Sequence, residues 1–313
     1  MVLGPRFGED AAVIDLGEKY LVAKTDPITF TAERIGWYAV NINANDVATL
    51  GARPLWFLAT LLLPEKGTPL ALVRSIFQDT LRACRELGVT LCGGHTEITH
   101  GLDRPIVVGQ MLGEVEKSKL VRKESQRPGD LVLLTRGIAI EGTAILARER
   151  FPLLSRKLGK ETLRRAQRLL FRPGISVVRD AMLAQRHGEI HAMHDPTEGG
   201  LASGLYELAK AGGVGLRIWK DQIPVLPETE RFSQILGFDP LGLIASGALL
   251  VVASANSAPN LLRVYARHGL RAAAIGEVRK RSEGILVVEK NREKPLRIPA
   301  RDEIARLLGS DTI

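Results

Sequence analysis

The stretch AVNINANDVATLGARP, residues 39–54, constrains the fold more than any other. Ala39, Val40, Ile42, Ala44, Val47, Ala48 and Leu50 give it the apolar bulk of a buried helix. Gly51 offers a left-handed stop, and Pro54 bars continuation. The same stretch carries Asn41, Asn43, Asn45 and Asp46. A carboxylate taken into a core is costly unless something compensates it, so Asp46 must face a partner.

The pattern around this helix alternates between strand and helix. KYLVAKTD reads as a strand before it, and PLWFLATLLLP as a buried strand after it. Residues 70–87 read as a helix ending at Gly88, VTLC as a short strand and PIVVGQMLGEV as another. EKSKLVRKESQRPGD is polar and turn-rich and marks a junction. Beyond it LVLLT restarts as a strand, followed by helical patterns at 142–150, 163–170 and 175–186. GEIHAMHD, VGLRIW, GALLVVAS, RAAAIGEV and GILVVEK are strand-like. GGLASGLYELAKAGG, 256–267 and RDEIARLL are helical. Alternation of this kind argues α/β. A length of 313 residues suggests two domains, drawn at 1–118 and 119–313.

Function classes can then be excluded. No apolar run reaches the length needed to span a bilayer, and the first residues lack a signal-peptide core. A cytoplasmic protein without a membrane partner is expected. Two cysteines, Cys84 and Cys92, make neither a zinc site nor a disulfide framework. Cys84 falls on the apolar stripe of its helix and reads as core. The net charge of +8 suits a polyanionic ligand. The densest basic stretch, KLGKETLRRAQRLLFRPG, sets Leu163, Ala166, Leu169 and Leu170 against Lys160, Arg164, Arg165 and Arg168, and reads as a solvated helix face. Few aromatics accompany these arginines, which argues against nucleic acid.

Acidic residues stand where strands and helices meet polar or glycine-rich loops: Asp10, Asp26, Asp46 and Asp195. A fifth cluster, GGHTEIT, holds His95, Thr96 and Glu97. Magnesium prefers carboxylate and water oxygens, often completed by substrate phosphates. Gly93-Gly94 and Gly199-Gly200 would let backbone N–H groups approach phosphate oxygens, the second pair at a helix amino end. Singly, an Asp before a turn is most often a cap; the joint order carries the reading. Neither a Gly-x-x-x-x-Gly-Lys-[Ser/Thr] loop nor a Gly-x-Gly-x-x-Gly turn occurs. Arg136, after LVLLT, is a candidate basic partner for phosphate.

The order GEDAAVID, KTDPIT, NANDVATLGARP, GGHTEIT, HDPTEGGLASGLYELA, LGFDPLGLIASGALLVVA and IGEV resembles the aminoimidazole-ribonucleotide synthetase-related superfamily over nearly the whole chain. ANDVATLGARP, PEKGTPL and IPVLPETERFSQILGFDPL look most like its hydrogenase-maturation branch, the HypE proteins. The resemblance implies two α/β domains of the PurM-like type, with amino-terminal strands forming a barrel across a homodimer and ATP in the cleft beside a second domain. It implies Asp10, Asp26 and Asp46 as magnesium ligands, with the asparagines orienting them. Asp46, His95 and Asp195 are then the catalytic candidates. Gly93, Gly94, Thr96, Thr197, Gly199 and Gly200 are the nucleotide-binding ones. His95 stands where HypE relatives carry an aspartate, and Glu97 is the substitute ligand.

The reaction implied is ATP-driven phosphoryl transfer to an amide or carbonyl-type oxygen, with another maturation protein supplying the substrate. A thiamine-monophosphate-type kinase and a non-catalytic nucleotide-binding scaffold stand as alternatives. The printed chain ends GSDTI, where HypE proteins end in a cysteine that carries the carboxamide. The expectation is that this chain carries no thiocarboxamide of its own.

Overall fold

The computed structural model describes residues 1–29 and 31–309. The tail on which the thiocarboxamide expectation rests, residues 310–313, lies outside the described residues. The chain divides into two compact units. One comprises Met1–Pro5 and Glu9–Leu120, the other Arg6–Gly8 and Val121–Ile313. Among the described residues no helix is long and apolar enough to cross a membrane.

In the first unit β1 (Ala12–Asp15), β2 (Lys19–Ile28), α1 (Ile35–Thr49), β3 (Arg53–Pro64), α2 (Leu70–Leu87), β4 (Thr90–Thr99) and β5 (Ile106–Glu116) build one sheet and two helices. The strand order is β1-β2-β5-β3-β4. All pairs are antiparallel except β3–β4, which α2 joins as a crossover. The alternation of strand and helix is therefore real, but it yields a mixed and mostly antiparallel sheet.

Helix α1 is buried at every residue, lying on β2, β3 and β5 and against α2. Close approach needs small partners. A Cβ on Gly36 would stand 2.4 Å from the Ile76 carbonyl of α2. On β5, Gly109 and Gly113 leave room for Asn43 and Val47 above them. Helix α2 is amphipathic, burying Ile76, Thr80, Ala83 and Cys84, and Gly88 ends it at φ 67°. Strand β3 buries Phe57, Ala59, Leu61 and Leu63, while Trp56, Leu58, Thr60 and Leu62 on its other face are half-buried. The continuous apolar run of PLWFLATLLLP therefore covers only one face within this chain.

The short strand expected at VTLC is ten residues long. It carries Gly93, Gly94, His95, Thr96 and Glu97 along the sheet edge, in register with Leu58–Leu62 of β3. The diglycine is consequently strand and not loop. Its φ values are 147° and 150°, and a Cβ on Gly94 would collide with the Ala59 carbonyl. The polar composition that suggested a loop is that of an exposed edge.

The second unit holds β6 (Leu131–Thr135), α3 (Ile140–Glu149), α4 (Phe151–Leu158), α5 (Lys160–Arg168), α6 (Val178–His187), β7 (Ile190–His194), α7 (Gly200–Gly212), β8 (Gly215–Trp219), α8 (Pro227–Leu236), β9 (Leu250–Ala253), α9 (Ala258–Arg267), β10 (Ala272–Arg279), β11 (Ile285–Glu289), β12 (Arg292–Pro295) and α10 (Glu303–Gly309). Its seven strands run β12-β11-β8-β10-β6-β9-β7, with β8–β11 the one parallel pair. Leu201, Leu205 and Leu208 of α7 pack onto Val132, Leu134, Ile218, Val252 and Ile275 of that sheet. Helix α8 opens on Pro227 and closes on Gly237 at φ 65°, the usual placement of those residues at helix ends.

Residues 6–8 form a strap on this unit. Arg6 pairs with Glu124 at 3.1 Å, Phe7 meets Tyr206 edge-on at 5.9 Å, and the Gly8 carbonyl accepts from the buried Lys123 ammonium.

Candidate functional site

The partner demanded by Asp46 is a lysine. Lys24 lies two residues before Asp26 on β2, so the two side chains share one face of the strand. Its Nζ stands 3.1 Å from Asp46 Oδ2 and 3.9 Å from Asp26 Oδ2. The contact with Asp46 is a close ion pair. Asp10, just ahead of β1, accepts at 2.9 Å from the Thr49 hydroxyl in the last turn of α1. Asp10 also adds to the charge felt by Asp46 and by Lys24.

Burial sets the electrostatics of this cluster. It pushes the Asp46 carboxyl up to about 7, with Lys24 opposing and the charges of Asp10 and Asp26 reinforcing. Burial disfavours the charge on Lys24 more than any other single influence, yet Asp46, Asp26 and Asp10 together hold its pKa above the usual value. Two carboxylates, from β2 and α1, thus share one ammonium, and Asp10 adds its charge from the approach to β1. Carboxylate oxygens are the ligands that a hard divalent cation prefers.

Asn41 and Asn43 do not orient the carboxylates as expected. Asn41 Nδ2 donates back to the Trp37 carbonyl of its own helix at 2.9 Å. Asn43 Nδ2 reaches the Ala39 carbonyl at 2.8 Å and the backbone carbonyl of Asp26 at 3.3 Å. The contacts that position the carboxylates come instead from Thr49 and Lys24. Alternation along β2 signals the second of these, but nothing local signals the first.

Strand β4 is not brought to the aspartates within the chain. Strands β5 and β3 separate it from β2, about 14 Å at the usual inter-strand spacing. His95 and Glu97 lie 4.0 Å apart on the edge, both well exposed. Glu97 therefore does not complete the cluster of Asp10, Asp26 and Asp46 inside one subunit.

In the second unit Asp195 and its neighbour His194 are buried at the end of β7. His194 lies between Lys123, 3.2 Å from Nδ1, and Glu207, 2.9 Å from Nε2. An ammonium can only donate, so Nδ1 accepts and Nε2–H donates to the carboxylate.

The Gly199-Gly200 turn was expected to leave amides free for phosphate, and it does not. Gly199 N donates to Asp302 Oδ2 at 2.6 Å, and Gly200 N to the Thr197 carbonyl at 3.0 Å. Asp302 also accepts from Ile304 N at 2.6 Å and Ile244 N at 3.3 Å. The chain's own carboxylate thus occupies the anion position at the amino end of α7.

Glu141, in the first turn of α3, is buried with Oε2 outside any hydrogen bond among the described residues. Burial pushes its pKa up to about 8; Ser246 opposes, while Glu198 and Asp302 reinforce. Arg136, expected to meet phosphate, is buried and engaged by the chain's own acceptors. It grips Asp180 through Nε at 2.9 Å and Nη2 at 2.6 Å, and donates to the carbonyls of Pro173 and Gly174.

Comparison with known proteins places this geometry in a family. The N-terminal domain of AIR synthase related proteins matches residues 8–115, and the C-terminal domain of the same family matches residues 127–289. The chain belongs to the AIR synthase related protein family. Among the relatives it resembles is a putative hydrogenase expression/formation protein of Methanocaldococcus jannaschii, 30% identical over 96% of this chain and 88% of the relative. A carbamoyl dehydratase HypE of Azotobacter vinelandii is 33% identical over 86% of this chain and 78% of the relative. A hydrogenase maturation protein HypE solved in complex with ATP superposes with a TM-score of 0.77 at 26% identity, covering 94% of this chain and 89% of that one.

Proposed function

We propose that the protein is a Mg-ATP-dependent enzyme of hydrogenase maturation that transfers a phosphoryl group to an amide or carbonyl-type acceptor. The observation that carries this reading is the convergence of Asp10, Asp26 and Asp46 on Lys24. The likeness to an ATP-bound HypE supports the nucleotide, and the names of the relatives support the pathway.

In this reading Asp10, Asp26 and Asp46 hold magnesium. The bound cation neutralises phosphate charge, which together with positioning supplies most of the catalysis of phosphoryl transfer. Thr49 fixes the Asp10 carboxylate. Lys24 keeps the three acids from repelling one another until a cation arrives. Gly93, Gly94, His95 and Thr96 present an exposed edge to the nucleotide, with Asp195 and Thr197 as further candidates. Gly199 and Gly200 shape their turn and do not act as donors.

The reading includes residues 1–118 as the nucleotide-binding and dimerising domain, and 119–313 as the second. It includes a homodimer whose paired sheets close a barrel, and a cytoplasmic location. The half-buried face of Trp56, Leu58 and Leu62 and the long exposed edge of β4 support the dimer, since an open edge of this kind invites pairing. Light scattering should find a dimer at micromolar concentration; a stable, active monomer rejects that part.

Turnover of ATP by purified protein with magnesium tests the whole. ADP formed in the presence of a carbamoyl-bearing maturation partner supports the proposal. ADP formed only with thiamine monophosphate replaces it with a small-molecule kinase. ATP bound and never hydrolysed replaces it with a scaffold.

A further inference from the structure

The positive surplus of the chain is confined to one place. Residues 148–179 hold ten Lys and Arg against two Glu, and the remaining 281 residues hold 33 of each sign. The whole net charge of +8 therefore arises between the end of α3 and the start of α6.

Part of that charge is structural. Arg148 donates to the carbonyls of Ala144 and Gln167, and Arg150 to that of Leu307. Arg165 pairs with Glu228 at 3.2 Å, and Arg179 reaches the His268 carbonyl. Arg156, Lys157, Lys160, Arg164, Arg168 and Arg172 are left. All six are exposed, and among the described residues none is ion-paired.

Their arrangement is regular. Leu163 and Ala166 anchor α5 in the core, which turns Lys160, Arg164 and Arg168 outward. These three stand at i, i+4 and i+8, in one line with steps of about 6 Å. Arg156 and Lys157 close the last turn of α4 immediately before. Like charges at this spacing weaken a helix, and among the described residues none of the three is held in an ion pair.

We propose that the α4–α5 face is a docking surface for an acidic helical segment of a partner protein, one that presents carboxylates at four-residue spacing to Lys160, Arg164 and Arg168. Arginine forks take carboxylates two oxygens at a time, which gives geometry as well as charge. Nucleic acid fits less well. The exposed Glu161 stands beside the line and Glu228 flanks it, and both repel a phosphate backbone while matching stray basic groups on a protein. The stretch has no Tyr or Trp for base stacking, and its two phenylalanines are half-buried. The surface is independent of the nucleotide chemistry proposed above.

The experiment titrates full-length protein with a synthetic helical peptide bearing Glu at every fourth position, and separately with a DNA duplex. The decisive variant is the triple Lys160→Glu, Arg164→Glu, Arg168→Glu. Its control is Lys290→Glu, Arg292→Glu, Lys294→Glu, an equal charge change on exposed positions of the β11–β12 hairpin. Expected is peptide binding that weakens with salt, falls at least tenfold in the α5 triple and falls by less than half that factor in the control. Circular dichroism checks folding of each variant. If the triple unfolds, the corresponding Gln triple takes its place. Equal losses in triple and control, or no loss in either, overturn the proposal. So does a duplex that binds through the same three residues and displaces the peptide.

Discussion

In the first unit Asp46 is answered by an ammonium, while in the second Asp302 is answered by amides. Both carboxylates are buried beside a helix, and burial pushes both upward. Asp302 accepts from three backbone N–H groups that have no other place to go. Asp46 shares one lysine with Asp26, and Asp10 adds its charge to both Asp46 and Lys24. The difference separates a carboxylate that completes the backbone from one that waits for a cation. Backbone donors cannot leave without unfolding the turn, whereas a lysine side chain can yield its place to another positive charge.

The contrast is broken most directly at Asp46. Asp46→Asn keeps the shape and removes the charge, so calorimetry should show Mg-ATP affinity falling by more than the roughly 10–100-fold that loss of an outer contact costs. Unchanged affinity in a folded variant removes the aspartates from the site. Lys24→Met sharpens the comparison from the other side. Leaving three acids around an uncompensated gap should cost about 3–5 kcal/mol of stability at neutral pH, as when one partner of a buried pair is deleted. Magnesium should restore part of the melting temperature, and more than it adds to the wild type. No greater response to magnesium in the variant means Lys24 is not a stand-in for the metal.

Asp302→Ala should cost about 2–4 kcal/mol, because the Gly199 and Ile244 amides lose their acceptor. Affinity for Mg-ATP in the folded fraction should hold. A selective loss of nucleotide binding with stability intact makes Asp302 part of the site after all.

The smallest effect concerns Glu141. Its pKa in the folded chain, about 8, lies above the ordinary carboxylate value of 4.5. The unfolded chain therefore loses this proton first. Stability is retained below about 4.5, falls as pH rises, and is fully reduced above about 8. Glu141→Gln should be more stable than wild type by about 1–2 kcal/mol near pH 9 and gain little near pH 5. Thermal melts at the two pH values check it, and parallel curves reject it.

The sequence disclosed the cores of both units because periodicity follows burial. It placed α1, α2, α7 and most strands, and it singled out Asp46 as a carboxylate in need of a partner. It could not supply strand order, so a polar edge such as β4 looked like a loop and Glu97 looked like a neighbour of Asp26. Nor could it show competition for donors. The glycine pair ahead of α7 resembled an anion cradle, but Asp302 stands about a hundred positions further on. Arg136 looked available only because Asp180 is 44 positions away. Lys24 was within reach of strand alternation, while Thr49 and Asp302 required the fold.

The strap at Arg6–Gly8 has a consequence in time. Phe7 is translated early, yet Tyr206, its ring partner, follows roughly 200 residues later, which at about 5–20 residues per second is about 10–40 s of synthesis. Throughout that interval Phe7 has no ring to settle against, although Lys123 and Glu124 are made earlier. A chain arrested before α7 is made holds the strap through Lys123 and Glu124 alone.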